Sequence, residues 1–333
     1  MSSTRPTRFS LSDGAPAYEP VKMKTSRYNK KGAKPGAERN RIQSDSIQDF
    51  AVESPSGLLD FLFTTMPDRK KTAVKSLLKY GQVMAGGEVV RQFDHPLTPG
   101  MTVSVNFSRP FVVFYNRRLK LVYEDDDIIV VNKGYGILSM GNDKIKDGTA
   151  YSILREYIKT KDPRNKLFIV HRLDQHTSGL MVFAKSMEAK EALQHNWNNM
   201  VLRRQYVCVV EGKVVPPAGE VRGLLAENSQ HMVYVTGDPK IGKPALTRYE
   251  TLKAANGYTL LSVELETGRK NQIRVHMKEI GHPIAGDRKY GAKSSPINRL
   301  ALHAMTLRFV HPITKKLMDF STPVPNSFQS MVK

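Results

Sequence analysis

The stretch His171-Arg172-Leu173-Asp174-Gln175-His176-Thr177-Ser178-Gly179-Leu180 places ionisable and hydroxyl side chains between two apolar segments. Residues 167–170 precede it and residues 181–184 follow it, and both have the composition of short strands. The pattern therefore predicts a polar loop between two strands of one sheet. Because binding and catalytic groups are often carried by loops on a rigid scaffold, this loop is the first candidate for a functional site.

The sequence around this loop predicts many short strands and few helices. Strands are predicted at 128–131, 179–184, 205–210, 232–235 and 258–265. Ser186 is a suitable N-cap for a helix that runs to Met200, and Ile273, Met277 and Ile280 form the apolar stripe of another helix. This arrangement predicts an α+β domain on a mixed, mainly antiparallel sheet. Since the sequence has no glycine-rich nucleotide-binding loop, no nucleotide cofactor is expected.

The composition points to a polyanionic partner. The 333 residues carry a formal net charge of +20, and nucleic acid is the first candidate partner for so basic a chain. The single cysteine, Cys208, excludes an internal disulfide and fits a reducing compartment. No segment approaches the roughly 18 apolar residues of a membrane span, so we expect a cytoplasmic protein.

The chain divides into a basic arm and two domains. Residues 1–50 are predicted to be a disordered arm, because the first 41 hold ten lysines and arginines against three acids and lack an apolar period. Residues 51–106 form a small α+β domain in which two helices, 57–63 and 70–80, precede a glycine-containing hairpin at 82–90. Residues 107–119 are a linker, and 120–333 form the larger domain.

Among the residues of the predicted loop, Asp174 most needs a partner of opposite charge. A carboxylate between apolar segments is costly to bury unless a cation lies beside it, and the sequence offers Arg172, Arg269 and Arg274. Arg274 is the favoured partner, because it borders the apolar stripe of its helix and can reach inward. Such a pair would hold the carboxylate ionised and aimed, as a nucleophile must be.

Two other chemistries were weighed for the same loop. His171 and Asp174 have a spacing that metal ligands can adopt, but no second ligand cluster follows, so no metal is expected. Ser178 lacks the Gly-x-Ser-x-Gly setting of a nucleophilic serine, and we expect it to bond to the backbone of its own loop.

The small N-terminal domain resembles the alpha-L RNA-binding domain of the S-four ribosomal type. The resemblance covers about 50 residues: two helices, the hairpin around Gly86-Gly87, and the closing segment 97–103. It implies that the second helix lies on RNA backbone through Lys70, Lys71 and Lys75. A helix-hairpin module with an ordinary solvated lysine face is the alternative interpretation.

The larger domain resembles the RluA-type pseudouridine synthases over about 200 residues. The family's motifs occur here in order as His171-Arg172-Leu173-Asp174, Thr177-Ser178-Gly179-Leu180, Arg204-Gln205-Tyr206, Thr267-Gly268-Arg269, Gln272-Ile273-Arg274-Val275-His276, residues 281–287, residues 299–304 and His311-Pro312.

The resemblance implies an enzyme that isomerises uridine in RNA to pseudouridine without a cofactor. Asp174 matches the catalytic aspartate, which acts on the ribose as nucleophile or as base. Tyr206 matches the tyrosine that stacks on the target base and is a candidate to move the proton of carbon 5. Arg274 matches the basic partner of the aspartate.

The resemblance also assigns RNA contacts. Because the target nucleotide must leave its stack, Arg172 is expected to occupy the gap, and Arg269 to bind phosphate. His171 is assigned to loop structure or to RNA contact.

Three segments depart from the usual pattern, since Gly134 replaces a proline, Met140-Gly141 replace a His-Pro pair, and Asn271 replaces a histidine. The catalytic groups remain, so the departures affect the expected recognition surface and not the expected chemistry.

The expected partner is structured RNA, in particular ribosomal RNA of the large subunit (23S), although tRNA is possible, and the protein is expected to be monomeric. Two other classes remain open: a catalytically silent RNA-binding or ribosome-assembly protein, and a metal-dependent nuclease that uses Asp174 and His171.

Overall fold

The computed structural model describes residues 46–141 and 145–333. Most of the predicted arm, residues 1–45, lies outside the described residues. The predicted end of the arm at residue 50 is wrong, because Ile47–Ala51 form a strand that pairs with Thr102–Asn106. This strand adds Phe50 to the small N-terminal core, so the first domain begins before residue 51.

The N-terminal domain packs two helices on a small sheet. Its elements are β1 (Ile47–Ala51), β2 (Ser56–Gly57), α1 (Leu58–Thr65), α2 (Lys71–Lys79), β3 (Val83–Ala85), β4 (Glu88–Val89), β5 (Pro96–Leu97) and β6 (Thr102–Asn106). The order β1-β6-β3-β4 makes one sheet, and β2 pairs with β5. The predicted hairpin is present, with Gly86 and Gly87 at positive φ in its turn.

Helix α2 separates an apolar face from a basic one. Val74, Leu77 and Leu78 are buried against α1 and the sheet. The lysine surface, as we call the exposed side chains of this helix and its N-cap, consists of Lys70, Lys71, Lys75 and Lys79.

The larger domain is built on an eleven-stranded sheet. Its strands are β7 (Leu119–Glu124), β8 (Ile128–Lys133), β9 (Phe168–Ile169), β10 (Ser178–Ala184), β11 (Val201–Glu211), β12 (Ala218–Glu227), β13 (Val233–Thr236), β14 (Lys243–Ala255), β15 (Tyr258–Leu265), β16 (Leu302–Val310) and β17 (Leu317–Ser321). The order is β13-β12-β14-β15-β11-β16-β10-β8-β7, with β17 paired to β16 and β9 to β10. All of these pairs are antiparallel except β10 with β16, so the predicted mixed, mainly antiparallel α+β fold is confirmed.

Short helices cover the sheet. They are α3 (Ala150–Lys161), α4 (Met187–His195), α5 (Trp197–Met200), α6 (Gln272–Glu279) and α7 (Asn326–Met331). Ser186 caps α4 as predicted, since its hydroxyl accepts from the Ala189 amide at 3.1 Å. The prediction of one helix to Met200 is wrong, because Asn196 leaves helical geometry and divides the segment into α4 and α5. None of the helices in the described residues is long and apolar enough to cross a membrane.

The parallel pair of β10 and β16 brings the loop that carries Asp174 to the interior of the sheet. The two strands pair over two residues each, Ser178 with His303 and Gly179 with Ala304. Gly179 has φ of +120°, and a Cβ there would lie 2.2 Å from the Ala304 carbonyl oxygen. Only glycine fits this approach, so the glycine allows the strand that follows the loop to join the sheet.

Candidate active site

Backbone contacts fix the loop on both sides of Asp174. Ser139 Oγ donates to the Leu173 carbonyl at 2.7 Å and accepts from the Leu173 amide at 3.1 Å. The Gln175 carbonyl accepts from Lys133 Nζ at 3.3 Å. Because the residues before and after the carboxylate are both held, the position of Asp174 is set by the sheet beneath it.

Lys133 is a buried ammonium group below the loop. Its Nζ also donates to the carbonyls of Gly134 and Ile137, each at 3.0 Å. Burial lowers the pKa of Lys133 from 10.5 to about 7, although the negative charge of Asp174 opposes the shift. Lys133 is not among the residues predicted for the site, and only its position beside the family departure at Gly134 points to it from the sequence.

Ser178 lies below the loop and not in the cleft. Its Oγ lies 2.8 Å from His303 Nδ1 and accepts from Arg299 Nη2 at 2.6 Å. His303 Nε2 in turn lies 2.8 Å from the Thr322 hydroxyl. The prediction that Ser178 bonds its own loop's backbone is therefore not what the structure shows, since its hydroxyl joins β10 to β16. Burial and the charge of Arg299 lower the pKa of His303 to about 4, so the ring is neutral at pH 7.

Asp174 and Arg274 form the ion pair that the burial argument predicts. Arg274 Nη1 lies 3.3 Å from Asp174 Oδ2. The same guanidinium donates to both oxygens of Asp287, from Nε at 2.7 Å and from Nη2 at 2.8 Å. Asp287, whose side chain is 2% exposed, therefore holds Arg274 in place. Asp287 lies in the motif at residues 281–287, but nothing in the local sequence marks it as a second partner of Arg274.

The surroundings of Arg274 keep it charged. Burial disfavours its charge, but hydrogen bonds and attraction from Asp287 and Asp174 raise its pKa above the ordinary value. The guanidinium also lies 4.8 Å from the Tyr290 ring centroid. Arg274 thus supplies a permanent positive charge to the Asp174 carboxylate.

The departure at Asn271 has a structural reason. Asn271 adopts a left-handed conformation with φ of +53° at the start of α6, which asparagine tolerates better than most residues. Its amide oxygen accepts from Arg274 Nη1 at 3.2 Å, and its Nδ2 donates to the Tyr290 hydroxyl at 2.9 Å. The residue therefore positions Arg274 from a third side.

Tyr206 borders the same cleft from β11. The pairing of β11 with β16 is irregular between Gln205 and Tyr206, and such a bulge redirects side chains. Burial raises the pKa of the Tyr206 hydroxyl to about 12, and the charge of Asp174 adds to this rise while Arg204 opposes it. The phenol is therefore protonated at pH 7 when Asp174 is ionised.

Asp174, Tyr206 and Arg274 line one cleft, together with Arg172 and Arg269. Both of the latter arginines are exposed. Arg269 does not supply the counter-charge of Asp174, because its Nε donates to the Pro244 carbonyl at 3.0 Å and Arg274 takes that place. Two exposed positive charges therefore border the cleft.

The turn that carries Arg269 is organised by residues that the sequence reasoning left without a role. Gln272 Oε1 accepts from the Arg269 amide at 3.0 Å and from the Thr267 hydroxyl at 2.8 Å. Arg204 Nη2 donates to the carbonyls of Leu265 and Glu266. Gln272 is buried, so its amide serves the turn and not a substrate.

His171 anchors the loop. Its Nε2 accepts from the Val182 amide at 3.0 Å, and its ring lies 4.7 Å from the Trp197 ring. Burial and the charge of Arg204 lower its pKa to about 3. His171 therefore has the role in loop structure that was one of its two expected roles. Because its Nε2 lone pair already accepts the hydrogen bond from the Val182 amide, this nitrogen is not available to bind a metal together with Asp174.

A different group of side chains is close enough to share a cation: Asp125, Asp127 and His311. Asp125 is already saturated, because one oxygen accepts two backbone amides and the other accepts from Tyr123 and His311. Asp125 and Asp127 precede β8, and Asp127 lies six residues before Lys133, at the opposite end of the strand. At roughly 3.3 Å per residue the group lies far from Asp174. Its arrangement fits a structural turn.

The lysine surface on α2 belongs to the N-terminal domain and does not line the cleft. Lys70, Lys71 and Lys75 are all exposed, as the interpretation of a backbone-binding helix requires. Their contact with RNA stays a prediction.

Comparison with known proteins places the chain. Residues 127–279 match the family model described as RNA pseudouridylate synthase. The uncharacterized RNA pseudouridine synthase YlyB of Bacillus subtilis is 35% identical over 282 residues, which cover 82% of this chain and 92% of the relative. Ribosomal large subunit pseudouridine synthase D of Pasteurella multocida is 32% identical over 80% of this chain and 87% of the relative.

A solved structure shares the fold. Human RNA Pseudouridylate Synthase Domain Containing 4 superposes with a TM-score of 0.53 at 22% identity, covering 64% of this chain and 91% of that one. The sequence relatives, the matching family model and the common fold agree with the resemblance seen in the motifs. The chain belongs to the RluA-type RNA pseudouridine synthases, and it is an isomerase that converts uridine in RNA to pseudouridine.

Proposed function

We propose that Asp174 is the catalytic carboxylate and that the substrate is ribosomal RNA of the large subunit. The observation that carries the first part is the ion pair of Asp174 with Arg274 at 3.3 Å, half-buried in a cleft that Tyr206 also lines. A fixed cation keeps the carboxylate ionised, and the cleft leaves it open to a flipped-out nucleotide.

The reaction exchanges one bond for another at the same sugar carbon. The bond from N1 of uracil to C1′ breaks, the base turns, and C5 bonds to C1′. The proton on C5 leaves to solvent and N1 takes up a proton, so the product is an isomer of uridine. Asp174 acts on the ribose, as nucleophile at C1′ or as base at C2′. Arg274 stabilises its charged form, which starts either route.

Tyr206 acts on the base. Its ring packs against the uracil, and its hydroxyl, after losing its own proton to solvent, receives the C5 proton. The charge of Asp174 contributes to the raised pKa of Tyr206. That contribution disappears once the carboxylate is bonded to the sugar or protonated. The pKa of Tyr206 therefore falls after Asp174 has reacted, so the hydroxyl loses its own proton more readily and can then take the C5 proton.

Three basic regions hold the RNA in this proposal. Arg172 occupies the gap that the flipped nucleotide leaves, Arg269 binds a phosphate at the cleft, and the lysine surface of α2 lies along the backbone. The cost of flipping, on the order of a few kcal/mol, is offset by these contacts. The name of the Pasteurella multocida relative supports a ribosomal target.

Tritium release tests the catalytic assignment. Large-subunit ribosomal RNA and tRNA transcripts labelled with tritium at C5 of uridine are incubated with the protein in parallel reactions with and without a chelator. We expect wild-type protein to release tritium from the ribosomal transcript, and Asp174→Asn to release none while it still binds that transcript. Tritium release by Asp174→Asn would falsify the role of Asp174.

The same assay separates the other interpretations. Release from tRNA alone would reject the ribosomal substrate and keep the enzyme. RNA binding with no release from either transcript would indicate a silent binding protein. Strand cleavage that the chelator abolishes would indicate a nuclease.

A further inference from the structure

A half-exposed tyrosine lies beside the Asp174 loop without a role in the chemistry. Tyr135 is 50% exposed and follows β8 in the segment Gly134-Tyr135-Gly136. The Gly136 amide donates to the Gln175 carbonyl at 2.9 Å, and Gln175 Nε2 donates back to the Gly136 carbonyl at 3.3 Å. The segment that carries the ring is therefore hydrogen-bonded through Gly136, the next residue, to Gln175, which follows Asp174.

One side of the Tyr135 ring is occupied by a fixed cation. The Arg299 guanidinium carbon lies 4.7 Å from the ring centroid. Arg299 is itself held, because its Nη2 donates to Ser178 Oγ at 2.6 Å and its Nε to the Leu300 carbonyl. A ring with a guanidinium on one side and half of its surface exposed offers its remaining surface to solvent in a fixed orientation.

Two exposed arginines lie in segments that are bonded to the segment of the ring. Arg172 lines the cleft in the Asp174 loop. Arg118 is joined to the tyrosine segment, because the Gly134 amide donates to the Arg118 carbonyl at 2.7 Å. A proline at position 134, the residue usual in this family, has no amide hydrogen for this bond. The departure at Gly134 thus fixes an arginine-bearing segment next to the aromatic ring.

We propose that Tyr135 is a stacking platform for an unpaired base of the RNA that neighbours the target uridine. Aromatic side chains that lie between exposed arginines are how proteins hold single-stranded RNA, since the ring stacks on the base and the cations meet the phosphates. A nucleotide next to the one in the cleft lies one backbone step from Asp174, and the Tyr135 segment is bonded to Gln175, the residue that follows Asp174. This inference rests on the proposal that Asp174 receives the target uridine.

The alternative is that the ring only covers Arg299, and three variants separate the two roles. Tyr135→Phe keeps the aromatic face, Tyr135→Leu keeps apolar cover over Arg299 without an aromatic face, and Tyr135→Ala removes both. The assay is tritium release from the transcript on which wild-type protein is active. We expect Tyr135→Ala and Tyr135→Leu to raise KM about ten-fold, with kcat within about two-fold of wild type, and Tyr135→Phe to match wild type.

A second substrate identifies the base. Transcripts with a single abasic nucleotide on either side of the target are compared with the intact transcript. At one of these positions we expect the abasic transcript to bind wild type as weakly as Tyr135→Ala binds intact RNA, with no further loss when both changes are combined.

Several outcomes would overturn the inference. They are an unchanged KM in Tyr135→Ala, a KM of Tyr135→Leu equal to that of wild type, and additive losses at every abasic position. A fall in kcat at constant KM would assign the ring to loop support. Failure of the proposed function is seen separately, as the absence of tritium release by wild-type protein from any transcript.

Discussion

The Asp174 loop, residues 171–177, and the lysine surface of α2 differ in how their side chains are held. Backbone groups on both sides of Asp174 are bonded to Ser139 and Lys133, and the carboxylate itself pairs with Arg274. The four lysines of the surface are exposed, and among the described residues none has a carboxylate partner. The side chains of the Asp174 loop are therefore held at fixed distances, whereas the lysine surface contributes positive charge without fixed geometry.

The difference matches what we propose that each region acts on. Chemistry at one sugar carbon requires the reacting groups to be held within tenths of an ångström. Attraction to a phosphate backbone is screened, long-ranged and approximately additive, so flexible side chains suffice. Substitutions in the first region should therefore have large effects that depend on each other, and those in the second small effects that add.

The largest effect is expected for Arg274→Gln. This change leaves Asp287 buried without its cation, which costs on the order of 3–5 kcal/mol of unfolding free energy. It also removes the partner of Asp174, so we expect kcat for tritium release to fall about 1000-fold. Urea denaturation and tritium release measure the two effects.

The matched control is Arg274→Gln combined with Asp287→Asn. Neutralising the buried carboxylate should recover most of the stability, whereas activity should stay lost because Asp174 still lacks a cation. If activity returned with stability, Arg274 would be a structural residue only.

Tyr206→Phe should have the next largest effect. The variant keeps the ring and removes the hydroxyl, so we expect kcat to fall about 100-fold at unchanged KM. Tyr206→Leu, which also lacks an aromatic face, should raise KM as well. Wild-type kcat in Tyr206→Phe would remove the hydroxyl from the reaction.

Lys133 gives a pH dependence of stability. The pKa of Lys133 is about 7 in the folded protein and near 10.5 when unfolded, so the unfolded chain binds more protons between these values. The free energy of unfolding of wild type should therefore rise with pH in this window, by about 2 kcal/mol from pH 7 to pH 9 relative to Lys133→Met. Parallel pH profiles of the two proteins in urea denaturation would reject the shifted pKa.

The smallest effect is expected on the lysine surface. Lys75→Ala should weaken RNA binding about three-fold and lower the slope of log affinity against log salt by about one unit. Lys75→Arg keeps the charge and should match wild type in a filter-binding titration. A loss as large as that of the loop variants would remove the distinction between the two regions.

The sequence predicted the parts of the site that local chemistry determines. Asp174 needed a cation because of its apolar neighbours, and the helical stripe around Arg274 showed which arginine could reach it. Asp287 could not be assigned in this way, because its contact with Arg274 depends on how a loop after α6 returns to the helix. Ser178 was misassigned for the same reason, since His303 and Arg299 are more than 100 residues away along the chain.

The fold class was predictable from strand periodicity, but several elements were overlooked. Helix α3 had a local signal in the capping box of Thr149 and Ser152 and in its buried Leu154 and Ile158. The break at Asn196 had a weaker signal, since asparagine is compatible with both a helix and its end. The pairing of β10 with β16 had no local sequence signal, because the partner of a parallel strand depends on how all the strands of the sheet are arranged.

That parallel pair also leads to an expectation about when the active site can form during synthesis. Ser178 and Gly179 join His303 and Ala304, so the sheet beneath the Asp174 loop closes between strands about 125 residues apart in the chain. Contacts of such long sequence separation form late in folding. On the ribosome, residues 303 and 304 must have left the exit tunnel before the loop can be seated. A chain that is still being synthesised is therefore expected to bind RNA through its N-terminal domain before it can modify it.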